Sequence, residues 1–277
     1  VGALAILLNA EKAGVCEIAA VTHCTSNRYG AGCIDAICAY MGRPDMKIGT
    51  LKRPGVLDGP EGRVYNEYIA KNYPNRYPDG EGVEDAVRVI RRAMAEYDEI
   101  TLISIGPYGN ISDFLDSGAD DISPLSGVEL ARKKAPLLVS MAGRLKGGNR
   151  EFNVYIEPKA SANVMKKWPG RIVFSLFETG VDVLTGGDIN ERLGAEHPVA
   201  KAYTLYCRGE AHASFDLTAV VWALYPDIGL FRESVKGFLS VDENDGSNVW
   251  TECENGRHTY FEKAAPPELI AEKLDAL

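Results

Sequence analysis

Several marks of common protein classes are missing from this sequence of 277 residues. No apolar run reaches the roughly 20 residues that a membrane-spanning helix needs. The six cysteines form no Cys-x-x-Cys pair, so a zinc ribbon is not expected. An excess of positive charge is missing too, because the formal net charge is −9. The sequence therefore predicts neither a membrane protein nor a nucleic-acid-binding protein.

Two nucleotide-binding signatures are also absent. The chain contains no Gly-x-Gly-x-x-Gly fingerprint and no Gly-x-x-x-x-Gly-Lys loop. A generic doubly wound nucleotide-binding domain is therefore disfavoured, and we keep it only as a third alternative. What is present is an ordinary globular composition, with 45% hydrophobic and 25% charged residues.

Short apolar runs alternate with helical patterns along the chain. Residues 100–105 and 136–141 are near-continuous apolar runs, which is typical of parallel strands covered on both faces. Helical spacing of apolar residues precedes or follows such runs at least four times. The sequence therefore predicts an α/β fold with an open, mostly parallel sheet and helices on both faces, and a single domain over residues 1–277.

The stretch from residue 52 to residue 82 differs in composition, because Pro, Gly, Asn and Tyr dominate it. A long connection of this kind is often a lid or a binding loop. Its four tyrosines either form a pocket wall or pin the loop to the surface, and both interpretations stay open. These tyrosines are Tyr65, Tyr68, Tyr73 and Tyr77.

The most informative stretch covers residues 147–158, between the predicted strand 136–141 and a predicted helix at 158–167. A loop at the carboxyl end of a strand is where open α/β sheets place their ligands. Glu151 and Asn153 flank Phe152, so in extended geometry they point the same way. A carboxylate beside an amide suits hydrogen bonding to the vicinal hydroxyls of a sugar. The alternative is a solvated loop with a buried phenylalanine.

Several segments, taken together, resemble the inosine–uridine-preferring nucleoside hydrolases. Residues 106–111 (Gly-Pro-Tyr-Gly-Asn-Ile) resemble a Gly-Pro-Leu-Thr-Asn-Ile turn of that family. Residues 148–149 and 151–160 resemble its Gly-Asn and Glu-Phe-Asn-Ile-Tyr-Val-Asp-Pro-Glu-Ala segments, and residues 216–220 resemble the Asp-Pro-x-Ala-Val part of its His-Asp-Pro-x-Ala-Val segment. Residues 21–27 are similar to Thr-Thr-Val-x-Gly-Asn, and residues 1–8 are similar to the helix after its Asp-rich motif.

The resemblance implies hydrolysis of the N-glycosidic bond of a ribonucleoside, or of a related ribosylated small molecule, by a Ca²⁺-activated water. Asp216 would then be a calcium ligand, and Ile105 would contribute its backbone carbonyl. The ribose hydroxyls would be bound by Asn27, Asn149, Glu151 and Asn153. A small-molecule substrate is expected as the partner, and assembly into a homo-oligomer stays open.

The sequence departs from the family pattern at two places. The family's Asp-x-Asp-x-x-x-Asp-Asp stretch, with its general base, is not found, and we expect it, with its strand, upstream of Val1. Phe215 stands where well-known members have a histidine proposed to protonate the leaving base. A phenylalanine has no proton to donate, but it can stack on a base. His212 is a candidate replacement acid, although a surface histidine is the simpler interpretation.

Phe215 keeps a rival hypothesis open. A protein that retains the pocket but lacks a group to protonate the leaving base would bind a sugar or nucleoside without cleaving it. Binding without turnover distinguishes this rival from the hydrolase.

Overall fold

A computed structural model describes residues 1–59 and 64–277. The helices are α1 Gly2–Lys12, α2 Gly30–Tyr40, α3 Val64–Asn72, α4 Ala86–Glu96, α5 Gly109–Asp116, α6 Gly127–Lys134, α7 Phe152–Tyr155, α8 Pro158–Lys167, α9 Phe177–Gly180, α10 Ile189–Leu193, α11 Pro198–Cys207, α12 Phe215–Leu224 and α13 Pro267–Asp275. The strands are β1 Val21–His23, β2 Ile48–Thr50, β3 Glu84–Asp85, β4 Thr101–Ser104, β5 Leu137–Met141, β6 Arg171–Ser175, β7 Leu184–Thr185, β8 His212–Ala213, β9 Phe231–Glu233, β10 Gly237–Val241, β11 Asn248–Glu252 and β12 His258–Lys263. No helix in this described part has the length and apolarity to cross a membrane.

The central sheet has seven strands in the order β11-β10-β12-β6-β5-β4, with β9 paired to β12. The strands β12, β6, β5 and β4 run parallel to one another, and the other three are antiparallel additions at one side. The predicted α/β class with a mostly parallel central sheet is confirmed.

Helices cover both faces of the parallel strands. Because successive side chains of a strand point to opposite faces, each strand contributes to two cores. Leu138 and Ile172 pack with Phe114 of α5 and Trp168, which follows α8, on one face. The neighbouring residues on the same strands belong to the other core, which includes residues of α1, α12 and α13. The continuous apolar runs of β5 and β6 therefore reflect burial on both sides.

A second, three-stranded parallel sheet has the order β1-β2-β3. Within residues 1–59 and 64–277, no strand ladder joins it to β4, so the single sheet expected from the sequence is divided. The carboxyl ends of β1 and β4 are nevertheless close. Asn110 Nδ2 donates to the His23 carbonyl at 3.0 Å, and a Cβ on Gly106 would lie 2.5 Å from Cys24 Sγ.

The connection from residue 52 to residue 82 contains the helix α3 and is therefore more ordered than a lid-like loop, although residues 60–63 lie outside the described part. Tyr65, Tyr73 and Tyr77 pack against the core that holds α2 and β2. This packing favours the interpretation that these tyrosines pin the connection to the body of the protein.

Candidate active site

The segment after β5 forms a helical turn rather than an extended strand. Glu151 is the N-cap of α7, and its Oε1 accepts a hydrogen bond from the backbone N–H of Asn153 at 3.0 Å. The predicted extended geometry of residues 151–153 is therefore wrong. The alternative of a buried Phe152 is wrong too, because Phe152 is 39% exposed, whereas Glu151 is 4% and Asn153 8% exposed. The turn that begins at this N-cap thus buries the side chains of Glu151 and Asn153 and leaves the Phe152 ring partly exposed.

Glu151 is a buried carboxylate in a surrounding that disfavours its charge. Burial raises its pKa to about 7, and the negative charge of Asp216 adds to this rise. Backbone N–H groups of residues 143, 153 and 154 lower the pKa, but less strongly. Oε2 of Glu151 has no hydrogen-bond partner among the described residues. A buried acceptor without a partner is suited to receive a hydrogen bond from a ligand.

Asn153 is tied to the end of β5. Its Nδ2 donates to the Met141 carbonyl at 3.0 Å and lies 3.2 Å from Met141 Sδ. The two side chains that the sequence singled out are thus held at the carboxyl end of a central parallel strand, the usual ligand position in such sheets.

Asp216 lies in the first turn of α12, near Glu151. Burial raises the pKa of Asp216 to about 6, while the positive charges of the Val1 amino group and of His212 lower it. Ile105, the other candidate metal ligand, packs against the same hydrophobic core as Phe215.

Phe215 takes part in a stack that the sequence did not reveal. The ring centres of Phe215 and Phe177 lie 5.2 Å apart in a stacked arrangement. The Arg144 guanidinium carbon lies 4.2 Å from the centre of the Phe177 ring. Phe177 begins α9 two residues after the end of β6, and a position just beyond a strand end is the signal that could have identified it. No local pattern points to Arg144, which reaches this place through the loop after β5.

That loop is held by Asn248 at the start of β11. Asn248 Oδ1 accepts from the Arg144 N–H at 3.1 Å, and its Nδ2 donates to the Arg144 carbonyl at 2.9 Å. The N–H of Asn248 also donates to the Asn149 carbonyl at 2.7 Å. Asn149 itself is exposed, so its proposed contact with ribose stays a prediction.

Asn27 lies at a different part of this surface. It lines a cavity of about 320 Å³ at the carboxyl ends of β1 and β2, together with residues 26, 28 and 50–54 among others. Glu151, Asn153 and Asp216 do not line this cavity. The structure thus brings Glu151, Asn153, Phe215 and Asp216 together, and the turn at residues 106–110 lies between them and Asn27.

A calcium site needs about six to eight oxygen ligands. In the part of the chain that the structure describes, no three side chains of His, Cys, Asp or Glu form a possible metal-binding group. Asp216 and the Ile105 carbonyl alone do not meet this requirement. The described residues by themselves therefore do not fit a complete calcium site.

The comparisons with known proteins agree with this geometry. The model of the family described as inosine-uridine preferring nucleoside hydrolase matches residues 3–275. A search among curated proteins finds no match.

Solved structures of the same fold cover nearly the whole chain. An inosine-uridine preferring nucleoside hydrolase from Bacillus anthracis is 14% identical, with 99% of this chain and 93% of that chain covered and a TM-score of 0.72. A purine-preferring ribonucleoside hydrolase from Gardnerella vaginalis is 16% identical, with 98% and 94% covered and a TM-score of 0.72. The type III effector XopQ, solved with adenosine diphosphate ribose, is 11% identical, with 99% and 87% covered and a TM-score of 0.66.

These identities establish the fold alone, whereas the family match spans almost every residue, including the turns that carry Glu151 and Asp216. The chain belongs to the inosine-uridine preferring nucleoside hydrolase family.

Proposed function

We propose that this protein hydrolyses the N-glycosidic bond of a ribonucleoside or of a related ribosylated small molecule. The observation that carries the proposal is the pair of neighbouring carboxyl groups, Glu151 and Asp216, at the sheet end of a nucleoside hydrolase fold. Both have raised pKa values, which is common where acids are held for chemistry rather than for stability.

The chemistry suits these residues. When the bond between the sugar carbon and the base nitrogen breaks, the electron pair leaves with the base and positive charge builds on the sugar. The negative charges of Glu151 and Asp216 stabilise that positive charge. Water then adds its hydroxyl to the sugar carbon, and its proton is taken up overall by the leaving base. Glu151 Oε2 accepts a hydrogen bond from a ribose hydroxyl in this proposal, and Asn27, Asn149 and Asn153 supply further contacts.

Calcium enters the proposal through the family, whose members generally bind it. We propose that Asp216 and the Ile105 carbonyl are two of its ligands. The remaining ligands and the general base are the groups that the resemblance places upstream of Val1, and both stay predictions.

The test uses the full-length natural protein with a panel of nucleosides, with Ca²⁺ and with a chelator. Free ribose is expected with Ca²⁺, and Glu151→Gln is expected to lower its release at least about a hundredfold. Asn244→Ala serves as a control, because Asn244 is exposed at a hairpin tip and its hydrogen bonds within the described residues go to Asp242. Absence of ribose from every nucleoside, with calcium shown to be bound, contradicts the proposal.

A second candidate is a protein that binds such compounds without cleaving them. Phe215 favours it, because its ring stacks on Phe177 and donates no proton to a leaving base. XopQ, which has the same fold, was solved in complex with adenosine diphosphate ribose. Calorimetry that shows nucleoside binding with no release of ribose selects this candidate.

A further inference from the structure

We propose that the cavity lined by Asn27 binds the phosphate group of a phosphorylated riboside, so that the preferred ligand carries a phosphate ester rather than being a neutral nucleoside. The ribosyl part of this inference rests on the proposed function. The binding of phosphate does not, since it follows from the residues around the cavity alone.

The lining of the cavity is positively charged although the chain as a whole is acidic. Arg28, Lys52 and Arg53 line it, whereas Asp58 is the one carboxylate residue among the described residues of the lining, in a protein of net charge −9. The hydroxyls of Ser26 and Thr50 add polar groups. A volume of about 320 Å³ is ample for a phosphate group with the sugar attached to it.

Two of the three cations are not neutralised by a carboxylate. Arg53 is held by Asp113 at 2.9 Å and by Glu157 at 2.8 Å, so its charge is already compensated. By contrast, Lys52 Nζ donates to the Val83 carbonyl at 2.6 Å, and Arg28 Nε donates to the Asp79 carbonyl at 3.1 Å. Among the described residues, neither Lys52 nor Arg28 forms an ion pair. Their charges remain available for an anion.

Asn27 supplies a buried donor at the same place. It is 7% exposed, and its Oδ1 accepts from the Tyr29 N–H at 3.0 Å, which fixes the orientation of the amide. Within the described part of the chain, the side chain makes this one hydrogen bond, as an acceptor, so its Nδ2 is left to donate to a ligand. An amide N–H group held this way, on the wall of a cationic cavity, is suited to a phosphate oxygen.

The backbone around the cavity adds to this preference. The lining includes Ala31 in the first turn of α2, an eleven-residue helix whose amino end favours negative charge. Gly80, with φ +79°, closes another wall, and a Cβ there would lie 2.1 Å from the Arg28 carbonyl. The cavity is therefore built from tightly packed backbone as well as from surface side chains.

The cavity is also placed to serve the candidate active site. Asn110 joins the two regions, because it belongs to the turn after β4 and its Nδ2 donates to the His23 carbonyl at 3.0 Å. Glu151 acts electrostatically on Tyr108 of the same turn. A ligand with its ribose near Glu151 would thus direct a phosphate substituent past this turn toward Asn27, Lys52 and Arg28.

The test measures binding of ribose 5-phosphate, ribose and inorganic phosphate to the full-length natural protein by calorimetry at low ionic strength. Ribose 5-phosphate is expected to bind more tightly than ribose, and its affinity is expected to fall as salt is added. Lys52→Gln and Arg28→Gln should each weaken ribose 5-phosphate about tenfold while leaving the affinity for ribose unchanged. Lys236→Gln removes the same charge from an exposed position outside the cavity lining and should change nothing.

The outcomes separate this inference from the proposed function. If ribose 5-phosphate binds no better than ribose, or binds equally well to Lys52→Gln and to the natural protein, the phosphate site is wrong, even if nucleosides are cleaved. If its binding depends on Lys52 and Arg28 but no compound releases its base, the phosphate site stands and the hydrolase proposal fails. Thermal unfolding of each variant shows whether a lost affinity reflects a lost fold.

Discussion

Glu151 and Glu157 are two buried carboxylates six residues apart, and their surroundings give them different tasks. Glu157 faces Arg53 at 2.8 Å and accepts from the Gly109 N–H at 3.1 Å. Glu151 faces the negative charge of Asp216, and its Oε2 has no partner among the described residues. The charge of Glu157 therefore stabilises a turn, whereas that of Glu151 is held at a cost to stability.

Replacing each carboxylate by its amide should separate these tasks. Glu151→Gln keeps an acceptor for the Asn153 N–H and removes an unfavourable buried charge, so we expect no loss in the free energy of unfolding. Its ribose release should fall at least about a hundredfold. Glu157→Gln should lower the free energy of unfolding by about 1–2 kcal/mol, because it breaks a pair whose arginine is half-exposed. Denaturant unfolding and ribose release measure both. A strong destabilisation by Glu151→Gln contradicts this assignment.

The buried imidazole of His258 gives a prediction for how the free energy of unfolding depends on pH. It is 1% exposed, and its Nδ1 accepts from the Leu239 N–H at 3.0 Å. Burial lowers its pKa from 6.5 to about 4. As the pH falls, the unfolded chain gains this proton before the folded protein does. The contribution of neutral His258 to the free energy of unfolding should therefore be complete above pH 6.5. It should be lost between pH 6.5 and 4, by about 3 kcal/mol in total.

The measurement is the free energy of unfolding from pH 8 to pH 4 for the natural protein and for His258→Asn. The asparagine Oδ1 keeps an acceptor for the Leu239 N–H but has no proton to gain. The variant should therefore lose less stability on acidification. An equal loss in both proteins would show that other groups cause it.

At the scale of the residue, the sequence singled out candidate site residues that a local motif marks, and their roles stay predictions. Glu151, Asn153 and Asp216 fall in such motifs, and the structure buries the first two. Arg144 and Phe177 were not identified, because their contact depends on how the loop after β5 folds back over the end of β6. The sequence predicted that Glu151 and Asn153 point the same way in an extended chain, whereas the structure buries both side chains through a helix cap.

At the scale of the element, helices with clear end signals were predicted with their observed bounds. The helix Pro158–Lys167 begins with a proline in its first turn and matches the predicted bounds of 158–167 residue for residue. The strand His258–Lys263 was missed, although it lies between β10 and β6 in the central sheet. Its sequence, His-Thr-Tyr-Phe-Glu-Lys, has little apolar content, so its strand character depends on pairing with its neighbours.

The contact between β11 and the loop after β5 gives a prediction at this scale. Asn248 makes three hydrogen bonds to that loop, two to the backbone of Arg144 and one to Asn149. Asn248→Ala removes the two side-chain bonds and leaves the part-buried backbone N–H and carbonyl of Arg144 without these partners. We expect a loss of about 1–3 kcal/mol in the free energy of unfolding.

Hydrogen exchange locates the effect of this variant. Amide protons of residues 143–150 should exchange faster, while those of β6 should not. A site that depends on this loop should then show a raised KM with a smaller change in kcat. Asn244→Ala, at the tip of the same hairpin, is the matched control and should leave the exchange of the loop unchanged. Unaltered exchange in Asn248→Ala contradicts the role given to Asn248.

At the scale of the whole molecule, the division into two parallel sheets is the main difference from the sequence-based expectation. In the described part of the chain, β1 pairs only with β2, and β4 pairs only with β5, so each has an open edge. The carboxyl ends of these two edge strands approach each other at His23 and Asn110. Helix α1 starts beside Asp216, at this same end, and leads back to the start of β1.

Calcium gives the prediction at this scale, because a ligand that binds only the folded state stabilises the whole molecule. Calcium should raise the Tm of the natural protein, since such binding adds about 2.7 kcal/mol to the free energy of unfolding at a hundredfold excess over Kd. Asp216→Asn removes a proposed ligand and should abolish this rise. Asn244→Ala, at an exposed hairpin tip, is the control and should keep it. Thermal unfolding with calcium and with a chelator measures both, and equal Tm values of the natural protein under the two conditions contradict the proposed metal site.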